Sequence, residues 1–178
     1  MTTRQTIRPR CVPALLTVAV VLSAGVLYQQ VNAAPARVAV AGQGEPINAV
    51  LPKLNGTPMN LASYRGKVLV VNLFAAWCAS CWNELKGFQR VSAAYASKGV
   101  TVVGVSVQSS PQDTRNMISK LGLTFSVGLD AQGSVSQEKF NLRAMPTTLF
   151  FDRSGKLIES HPGELDEETL RSKLDHLL

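Results

Sequence analysis

Short apolar runs alternate with helical patterns through most of the chain, and this alternation predicts its fold. Apolar runs typical of buried strands cover residues 67–74, 100–107 and 125–129. Helical patterns or helix-start signals follow them, over residues 78–97, 112–121 and 133–140. Strands that alternate with helices in this way favour an α/β fold with a partly parallel sheet.

The pattern changes near the C-terminus. Apolar runs at residues 147–152 and 157–161 flank the turn signal Arg153-Ser154-Gly155-Lys156, which predicts an antiparallel hairpin. A last helix is predicted from Asp166, because acidic residues favour a helix N-terminus and leucines then recur along one face. A central mixed sheet with helices on both faces, an α/β/α sandwich, accommodates all of these elements.

A second hairpin is predicted ahead of the first long strand. Residues 47–51 and 59–61 lie on either side of Asn55-Gly56, a dipeptide that favours tight turns. We expect this N-terminal hairpin extension to cap one end of the sheet. The domain then covers residues 46–178, about 130 residues, which is enough for one hydrophobic core.

The first 33 residues have the composition of an export signal or a short membrane anchor. They contain three arginines, no acidic residue and an uncharged, mostly apolar run over residues 11–28. The run is intermediate between a signal-peptide core and a span of about 20 residues, so cleavage after Ala33 and retention both stay open. We favour a retained anchor. Residues 34–45, rich in Ala, Gly and Pro, predict a linker, and no motif surrounds Cys11.

The charge of the chain gives no support for nucleic-acid binding. Three of the positive charges behind the formal net charge of +6 lie in the first 33 residues. No basic stripe with interleaved aromatic residues occurs in the remainder. Export instead places the domain in an oxidising compartment, where a protein that reduces others needs a reducing partner of its own.

The motif Cys78-Ala79-Ser80-Cys81 is the strongest candidate for chemistry. It follows an apolar run and opens a helical pattern, so its thiols lie one turn apart at a strand-to-helix junction. Unpaired backbone N–H groups and the helix dipole stabilise a thiolate there. We predict that Cys78 is the nucleophile and Cys81 the resolving thiol, which exchange a disulfide with a partner through a mixed disulfide.

Other uses of the cysteine pair have less support. A structural zinc site takes four ligands, and the only further cysteine and histidine side chains are those of Cys11, His161 and His176. Trp82 stands where covalent haem attachment requires histidine. A purely structural disulfide of this spacing closes a very short loop and adds little stability. We therefore expect no metal and no cofactor other than a redox-active disulfide.

Two segments resemble the thioredoxin superfamily. They are residues 70–81, which end in Trp77 and the cysteine motif, and residues 145–152, which begin Met145-Pro146-Thr147-Thr148. The similarity is best to the membrane-tethered TlpA/ResA-like branch, which overlaps with the AhpC/TSA redoxins, and it extends from Ile47 to the C-terminus. It implies a thioredoxin-like α/β/α sandwich, with room between Cys81 and Pro146 for the strand-helix insert that this branch carries.

The resemblance implies a client-binding edge beside the thiols. In the superfamily the proline that matches Pro146 is cis and faces the disulfide, and the backbone before it, here Met145, pairs with the extended chain of the client. We group Trp77 with these two residues as substrate-binding. From the residues alone, Pro146 could equally be an ordinary proline at a strand start.

Glu84 is the third residue that we expect to act in catalysis, with Cys78 and Cys81. It follows Cys81 by three residues on the same helix face, where the TlpA/ResA-like branch has an acidic residue. Thioredoxins instead place a buried aspartate six residues before the first cysteine, where this chain has Asn72, which does not ionise. We expect Glu84 to tune both thiols and to accept the proton of Cys81. The alternative is an ordinary solvated glutamate on a helix.

Two departures from the family pattern leave the direction of the reaction open. Ser80 stands where the family often has proline, and Trp82 replaces a basic residue and serves either client binding or packing. The leading hypothesis is a thiol-disulfide oxidoreductase that reduces disulfide-bearing client proteins, for example during cytochrome c maturation, with electrons from a membrane thiol-reductant donor. The first alternative is a disulfide oxidant or isomerase, which only the reduction potential distinguishes.

Two further function classes have weaker support. A thiol peroxidase needs Thr or Ser three residues before its reactive cysteine and Pro four residues earlier, and this chain has Ala75 and Val71 there. A non-catalytic thioredoxin-fold adaptor would not require both cysteines. The location that these observations predict is the bacterial cell envelope, on the periplasmic or extracytoplasmic face, with the N-terminal segment as an anchor in the inner membrane.

Overall fold

The computed structural model describes residues 47–178. The predicted signal or anchor over residues 1–33, the linker over residues 34–45 and Cys11 all lie outside the described residues. Between Ile47 and Leu178, no helix has both the length and the hydrophobicity that a membrane crossing requires.

Within residues 47–178, seven strands form a small hairpin and a central mixed sheet. They are β1 (Val50–Pro52), β2 (Pro58–Asn60), β3 (Val68–Phe74), β4 (Val100–Val107), β5 (Ser126–Asp130), β6 (Thr147–Phe151) and β7 (Leu157–Pro162). The central sheet has the order β5-β4-β3-β6-β7, with β3, β4 and β5 parallel and with β6 antiparallel to both β3 and β7. Every residue of β3 is buried, as expected for a strand covered on both faces.

Four α-helices cover the two faces of this sheet. They are α1 (Ala79–Tyr95), α2 (Pro111–Leu121), α3 (Ser134–Phe140) and α4 (Glu167–Leu177). Side chains from α1, α2 and α4 form the core on one face, and the β1-β2 hairpin and α3 complete the core on the other. The structure thus confirms the thioredoxin-like α/β/α sandwich with a mixed sheet, and α2 with β5 is the predicted strand-helix insert.

The spacing of Leu85, Phe88, Ser92 and Tyr95 along α1 predicts that these residues form the face that packs on the sheet, and the structure differs from this prediction at one position. Leu85, Phe88 and Tyr95 are buried as expected, but Ser92 is only half-buried and Val91 is fully buried. Because one helix turn takes 3.6 residues, the position directly above Phe88 falls between residues 91 and 92, and either residue can face the sheet. The apolar Val91 therefore takes the buried position and the hydroxyl of Ser92 stays near solvent.

The β1-β2 hairpin lies against the edge strand β5. Lys53, just after β1, pairs with Gly128 in the middle of β5 through an antiparallel bridge. A Cβ atom on Gly128 would lie 2.6 Å from Met59 Cε and 2.8 Å from Leu51 Cβ, closer than side chains tolerate. Glycine at this position therefore lets the hairpin dock on the sheet.

Replacement of Gly128 should weaken the docking of the hairpin. Because the added methyl group of Gly128→Ala overlaps Leu51 and Met59, we expect the free energy of unfolding to fall by about 1–3 kcal/mol. Urea denaturation of the protein measures this change. Val50→Ala on the same hairpin is the matched control, since Val50 is 54% exposed and its truncation should cost less than about 0.5 kcal/mol. Equal stability of the two variants would contradict this account of the hairpin.

Candidate active site

The two cysteines of the motif form a disulfide at the junction of β3 and α1. Cys78 is the N-cap residue of α1, and its Sγ accepts a hydrogen bond from the backbone N–H of Cys81 at 3.3 Å. Cys78 is 6% exposed and Cys81 is not exposed at all. A second thiol from outside can therefore reach only the Cys78 sulfur, while Cys81 lies on the inner side of the helix turn.

Polar groups around Cys78 fix its position at the end of the sheet. Its backbone N–H donates to the carbonyl of Ala75 at 3.1 Å, and the hydroxyl of Ser80 lies 3.4 Å from its Sγ. The backbone N–H of Ala76 donates to Ser109 Oγ at 2.9 Å, which ties the segment between strand and helix to the loop after β4. A sulfur held at a helix N-terminus faces partial positive charge, which favours its thiolate form.

Pro146 directly precedes β6 and lies next to the C-terminal end of β3, from which the chain runs to Cys78. The Met145-Pro146 peptide bond is cis, as the resemblance implied. Leu73 pairs with Thr147 in the register of the two strands, so Pro146 lies one residue beyond the last pair. Pro146 is buried and Met145 is half-buried, with its side chain packed against both core clusters.

Glu84 is buried in the interior, one helix turn after Cys81. Glu84 is only 4% exposed, so the alternative of a solvated glutamate on a helix is wrong. Oε1 accepts a hydrogen bond from Asn72 Nδ2 at 2.7 Å, and Oε2 accepts one from the backbone N–H of Leu165 at 2.9 Å. Burial raises the pKa of Glu84 to about 7, against the lowering effect of these two hydrogen bonds. The carboxyl group can therefore hold or release a proton near neutral pH.

Asn72 connects Glu84 to the neighbouring strand. It is fully buried in the middle of β3, and its Nδ2 donates to Thr148 Oγ1 on β6 at 3.2 Å as well as to Glu84. Its Oδ1 has no hydrogen-bond partner among the described residues. A buried acceptor without a donor costs about 1–3 kcal/mol, so this atom calls for an explanation.

The contacts of Thr148 and Leu165 in this cluster could not be predicted from the sequence, and for Asn72 the sequence indicated only that an ionisable group is absent. The polar Asn72 within the apolar run of residues 70–73 was a usable signal, because an amide in a fully buried strand needs hydrogen-bond partners. The backbone N–H of Leu165 gave no signal, since it lies 81 residues from Glu84 in the chain. Only the fold brings the two together.

Two tryptophans and the insert form an open groove beside the disulfide. Trp77 is 62% exposed, and its Nε1 donates to the carbonyl of Gln108 at 3.0 Å. Trp82 is half-buried and donates from Nε1 to the carbonyl of Ala76 at 2.9 Å. The groove has a volume of about 410 Å³. Polar residues from the start of the insert and from α2 also line it, namely Ser109, Ser110, Asp113, Asn116 and Lys120. Both indoles are therefore held in place with apolar surface open to solvent.

The described part of the chain contains no candidate metal site. Between residues 47 and 178, no group of three or more Cys, His, Asp or Glu side chains is placed to hold a metal ion. The reactive groups of the site are the Cys78–Cys81 disulfide and the buried carboxyl group of Glu84.

Comparison with known proteins gives a consistent result. The Redoxin family model matches residues 31–178. The thiol-disulfide oxidoreductase ResA of Geobacillus thermodenitrificans is 27% identical over 141 residues, which cover 79% of this chain and 80% of that protein. ResA of Bacillus anthracis is 27% identical over 130 residues, which cover 73% of this chain and 75% of that protein.

Solved structures show the same fold. A thiol:disulfide interchange protein DsbE from Chlorobium tepidum superposes with a TM-score of 0.71 at 24% identity, covering 78% of this chain and 98% of that one. A secreted disulfide oxidoreductase of Mycobacterium tuberculosis, described as homologous to Escherichia coli DsbE, gives a TM-score of 0.66 at 25% identity, covering 73% and 96% of the two chains.

The buried carboxyl group should make stability depend on pH. Because the pKa of Glu84 is raised from 4.5 to about 7 in the folded protein, folding favours its protonated form. Its contribution is fully present below pH 4.5 and is lost as the pH rises through about 7. We expect a loss of about 3 kcal/mol in the free energy of unfolding between pH 4.5 and pH 8.

The Glu84→Gln variant isolates this contribution from those of other groups. Urea denaturation of the oxidised protein and of the variant at a series of pH values gives the difference between the two curves. That difference should change by about 3 kcal/mol over the range, since the introduced amide does not ionise. Parallel curves would show that Glu84 has an ordinary pKa in the folded protein.

Proposed function

We propose, because this chain belongs to the Redoxin family and is a thiol-disulfide oxidoreductase, that it reduces disulfide bonds in client proteins outside the cytoplasm. The observation that carries this proposal is the buried carboxyl group of Glu84, one turn after the Cys78–Cys81 disulfide. When an acidic neighbour is ionised, its negative charge destabilises the thiolates. This effect opposes the stabilisation of the thiolate by the N-terminus of the helix. Less stable thiolates favour the disulfide form of the protein, which makes its dithiol form a stronger reductant.

The reaction begins with the reduced protein. The Cys78 thiolate attacks one sulfur of a client disulfide, forms a mixed disulfide and releases the other client sulfur as a thiolate. Cys78 is the attacking group because it alone of the pair is exposed. Its position at the N-terminus of α1 stabilises the thiolate before the attack.

Resolution of the mixed disulfide uses the inner thiol. Cys81 transfers its proton to the Glu84 carboxylate, and the resulting thiolate attacks Cys78 Sγ. The second client sulfur leaves, and the Cys78–Cys81 disulfide forms as it stands in the structure. Two electrons pass to the client, whose thiolates take up protons from water and from Glu84. A donor dithiol must then reduce the protein again.

Client binding is assigned to the surface around Cys78. Trp77 offers an exposed indole directly before the nucleophile, and its hydrogen bond to Gln108 holds the ring in place. The cis peptide between Met145 and Pro146 ends next to β3, where the backbone of Met145 can pair with an extended client segment. The groove between the two tryptophans and α2 continues this surface.

The partners and the location follow from the N-terminal segment and from the chemistry. We place the protein on the periplasmic or extracytoplasmic face of a bacterial membrane, anchored by residues 1–33, as the charge pattern of that segment favours. A disulfide-forming compartment requires a membrane thiol-reductant donor for a reductant. Its clients would be proteins whose cysteines must be reduced before use, such as apocytochromes during cytochrome c maturation or copper-site assembly factors.

One observation favours the opposite direction. The hydroxyl of Ser80 lies 3.4 Å from Cys78 Sγ and can donate a hydrogen bond to a Cys78 thiolate. A stabilised thiolate makes the dithiol form more stable and the disulfide more oxidising. A disulfide oxidant or isomerase is therefore the second candidate, and the reduction potential decides between the two.

The reduction potential of the Cys78–Cys81 pair tests the proposal. The Cys11→Ser protein is equilibrated against dithiothreitol and glutathione buffers and its free thiols are counted, so that only this pair contributes. We expect a potential below about −240 mV, as for a reductant, and Ser80→Ala should lower it further because the thiolate loses a hydrogen bond.

Two other results would overturn the assignment. A potential above about −180 mV would make the protein an oxidant or isomerase. No redox titration at all, that is, a thiol count of the Cys11→Ser protein that stays constant across the buffers, would remove the disulfide from the function.

A further inference from the structure

The hydrogen bonds around Glu84 all suit one protonation state. Asn72 Nδ2 and the backbone N–H of Leu165 both donate to its carboxyl oxygens, which is the arrangement that a carboxylate requires. In the proposed reaction, however, Glu84 takes a proton from Cys81. The neutral acid carries an O–H group that needs an acceptor, and neither of the two present partners supplies one.

The missing acceptor is already present in the same side chain. Asn72 Oδ1 is buried and has no hydrogen-bond partner among the described residues, while Nδ2 of the same amide uses both of its hydrogens, on Glu84 and on Thr148. A half-turn about the Cβ–Cγ bond exchanges the positions of Oδ1 and Nδ2. The oxygen would then face Glu84 as the acceptor of its O–H group.

Thr148 can serve both orientations of the amide. Its hydroxyl accepts from Asn72 Nδ2 at 3.2 Å in the present orientation, and a hydroxyl can also donate. After the half-turn, the Thr148 hydroxyl would donate to Oδ1, so that oxygen would receive two hydrogen bonds in place of none, while Nδ2 gives up its bonds to Glu84 and Thr148. The backbone N–H of Leu165 cannot turn in this way, since it belongs to the fixed segment before α4.

We propose that Asn72 is a positioning residue whose side-chain amide turns over when Glu84 gains or loses its proton, so that the carboxyl group of Glu84 has a hydrogen-bond partner on Asn72 in both protonation states. The inference rests on the proposed role of Glu84 in thiol exchange. It gives Asn72 a function that an aspartate at the same position could not have, because a carboxylate offers no N–H donor. The amide thereby supports Glu84 both as the acceptor and as the carrier of the Cys81 proton.

The other groups that face Glu84 limit what can change with pH. Glu164, on the segment before α4, is the ionisable neighbour whose charge raises the pKa of Glu84. Cys81 and Cys78 on α1 add ionisable thiols only after reduction. Asn72 on β3 and Thr148 on β6 do not ionise. In the oxidised protein a titration of this cluster near neutral pH therefore reports on Glu84.

Nuclear magnetic resonance of the oxidised, 15N-labelled protein tests the turn of the amide. The two side-chain N–H protons of Asn72 are followed from pH 5 to pH 9, a range chosen to bracket the pKa of Glu84 of about 7. The decisive proton is the one that faces Thr148, because it does not touch Glu84. We expect its resonance to move with the Glu84 midpoint, since the half-turn removes its hydrogen bond to Thr148.

Variants separate this motion from simpler effects. In Glu84→Gln the resonances of Asn72 should be independent of pH, whereas Asn83→Leu, an exposed position on the same helix, should leave the midpoint unchanged. Asn72→Leu removes the donor to the carboxylate together with the acceptor for the neutral acid, so we expect the midpoint of the pH-rate profile for client reduction to move by less than about one pH unit, whereas loss of a static donor would raise it by more.

Two outcomes would overturn the inference, and neither depends on the direction of electron flow. The first is a Thr148-facing proton that stays fixed while Glu84 titrates, which would make Asn72 a static donor. The second is a rise of more than about one pH unit in the pH-rate midpoint of folded Asn72→Leu, which is the effect of losing a donor that serves the carboxylate alone. Failure of the proposed function has a different signature, namely equal rates of client reduction in Glu84→Gln and the parent protein at every pH.

Discussion

The carboxyl group of Glu84 is the point at which four separate segments of the chain meet. It belongs to α1, it receives hydrogen bonds from β3 through Asn72 and from the segment before α4 through Leu165, and Asn72 in turn contacts Thr148 on β6. Because an acid in an apolar interior is costly without such partners, these segments must take their native positions together. The register of the sheet, the docking of α4 and the position of the disulfide are thus connected through one side chain.

This arrangement suits the proposed reaction, which needs a fixed sulfur and a proton that moves. The disulfide lies where β3 ends and α1 begins, so backbone hydrogen bonds of both elements fix the position of Cys78. Glu84 lies deeper along the same helix, where burial brings its pKa to about 7. In the proposed reaction, the sulfur that meets the client thus lies at the N-terminus of α1, and the group that exchanges protons lies within the core.

Most of the fold could be predicted from the sequence, because its elements are encoded locally. The apolar runs gave the strands of the central sheet to within one or two residues, and Asp166 marked the start of the last helix as its N-cap. The cysteine motif identified the site, because its spacing and its place at a helix start have few other uses. The cis form of the Met145-Pro146 peptide was implied by the resemblance to the thioredoxin superfamily. The residues alone also suited an ordinary proline at a strand start.

The parts that the sequence did not predict depend on contacts between distant segments. The burial of Glu84 follows from the packing of α1 against the sheet and of the segment around Leu165 over both. Val91 replaced Ser92 in the core because two adjacent positions share one helix face, and packing selects the apolar one. The groove of Trp77 and Trp82 required the insert to lie beside them.

The bridge between Lys53 and Gly128 has a consequence for the behaviour of the protein at high concentration. The insert makes β5 an outer strand of the sheet, and an outer strand exposes unpaired backbone groups that can recruit a strand from another molecule. The β1-β2 hairpin covers the middle of β5 with its own chain and brings a lysine to that position. Such a cover protects against intermolecular strand pairing and aggregation.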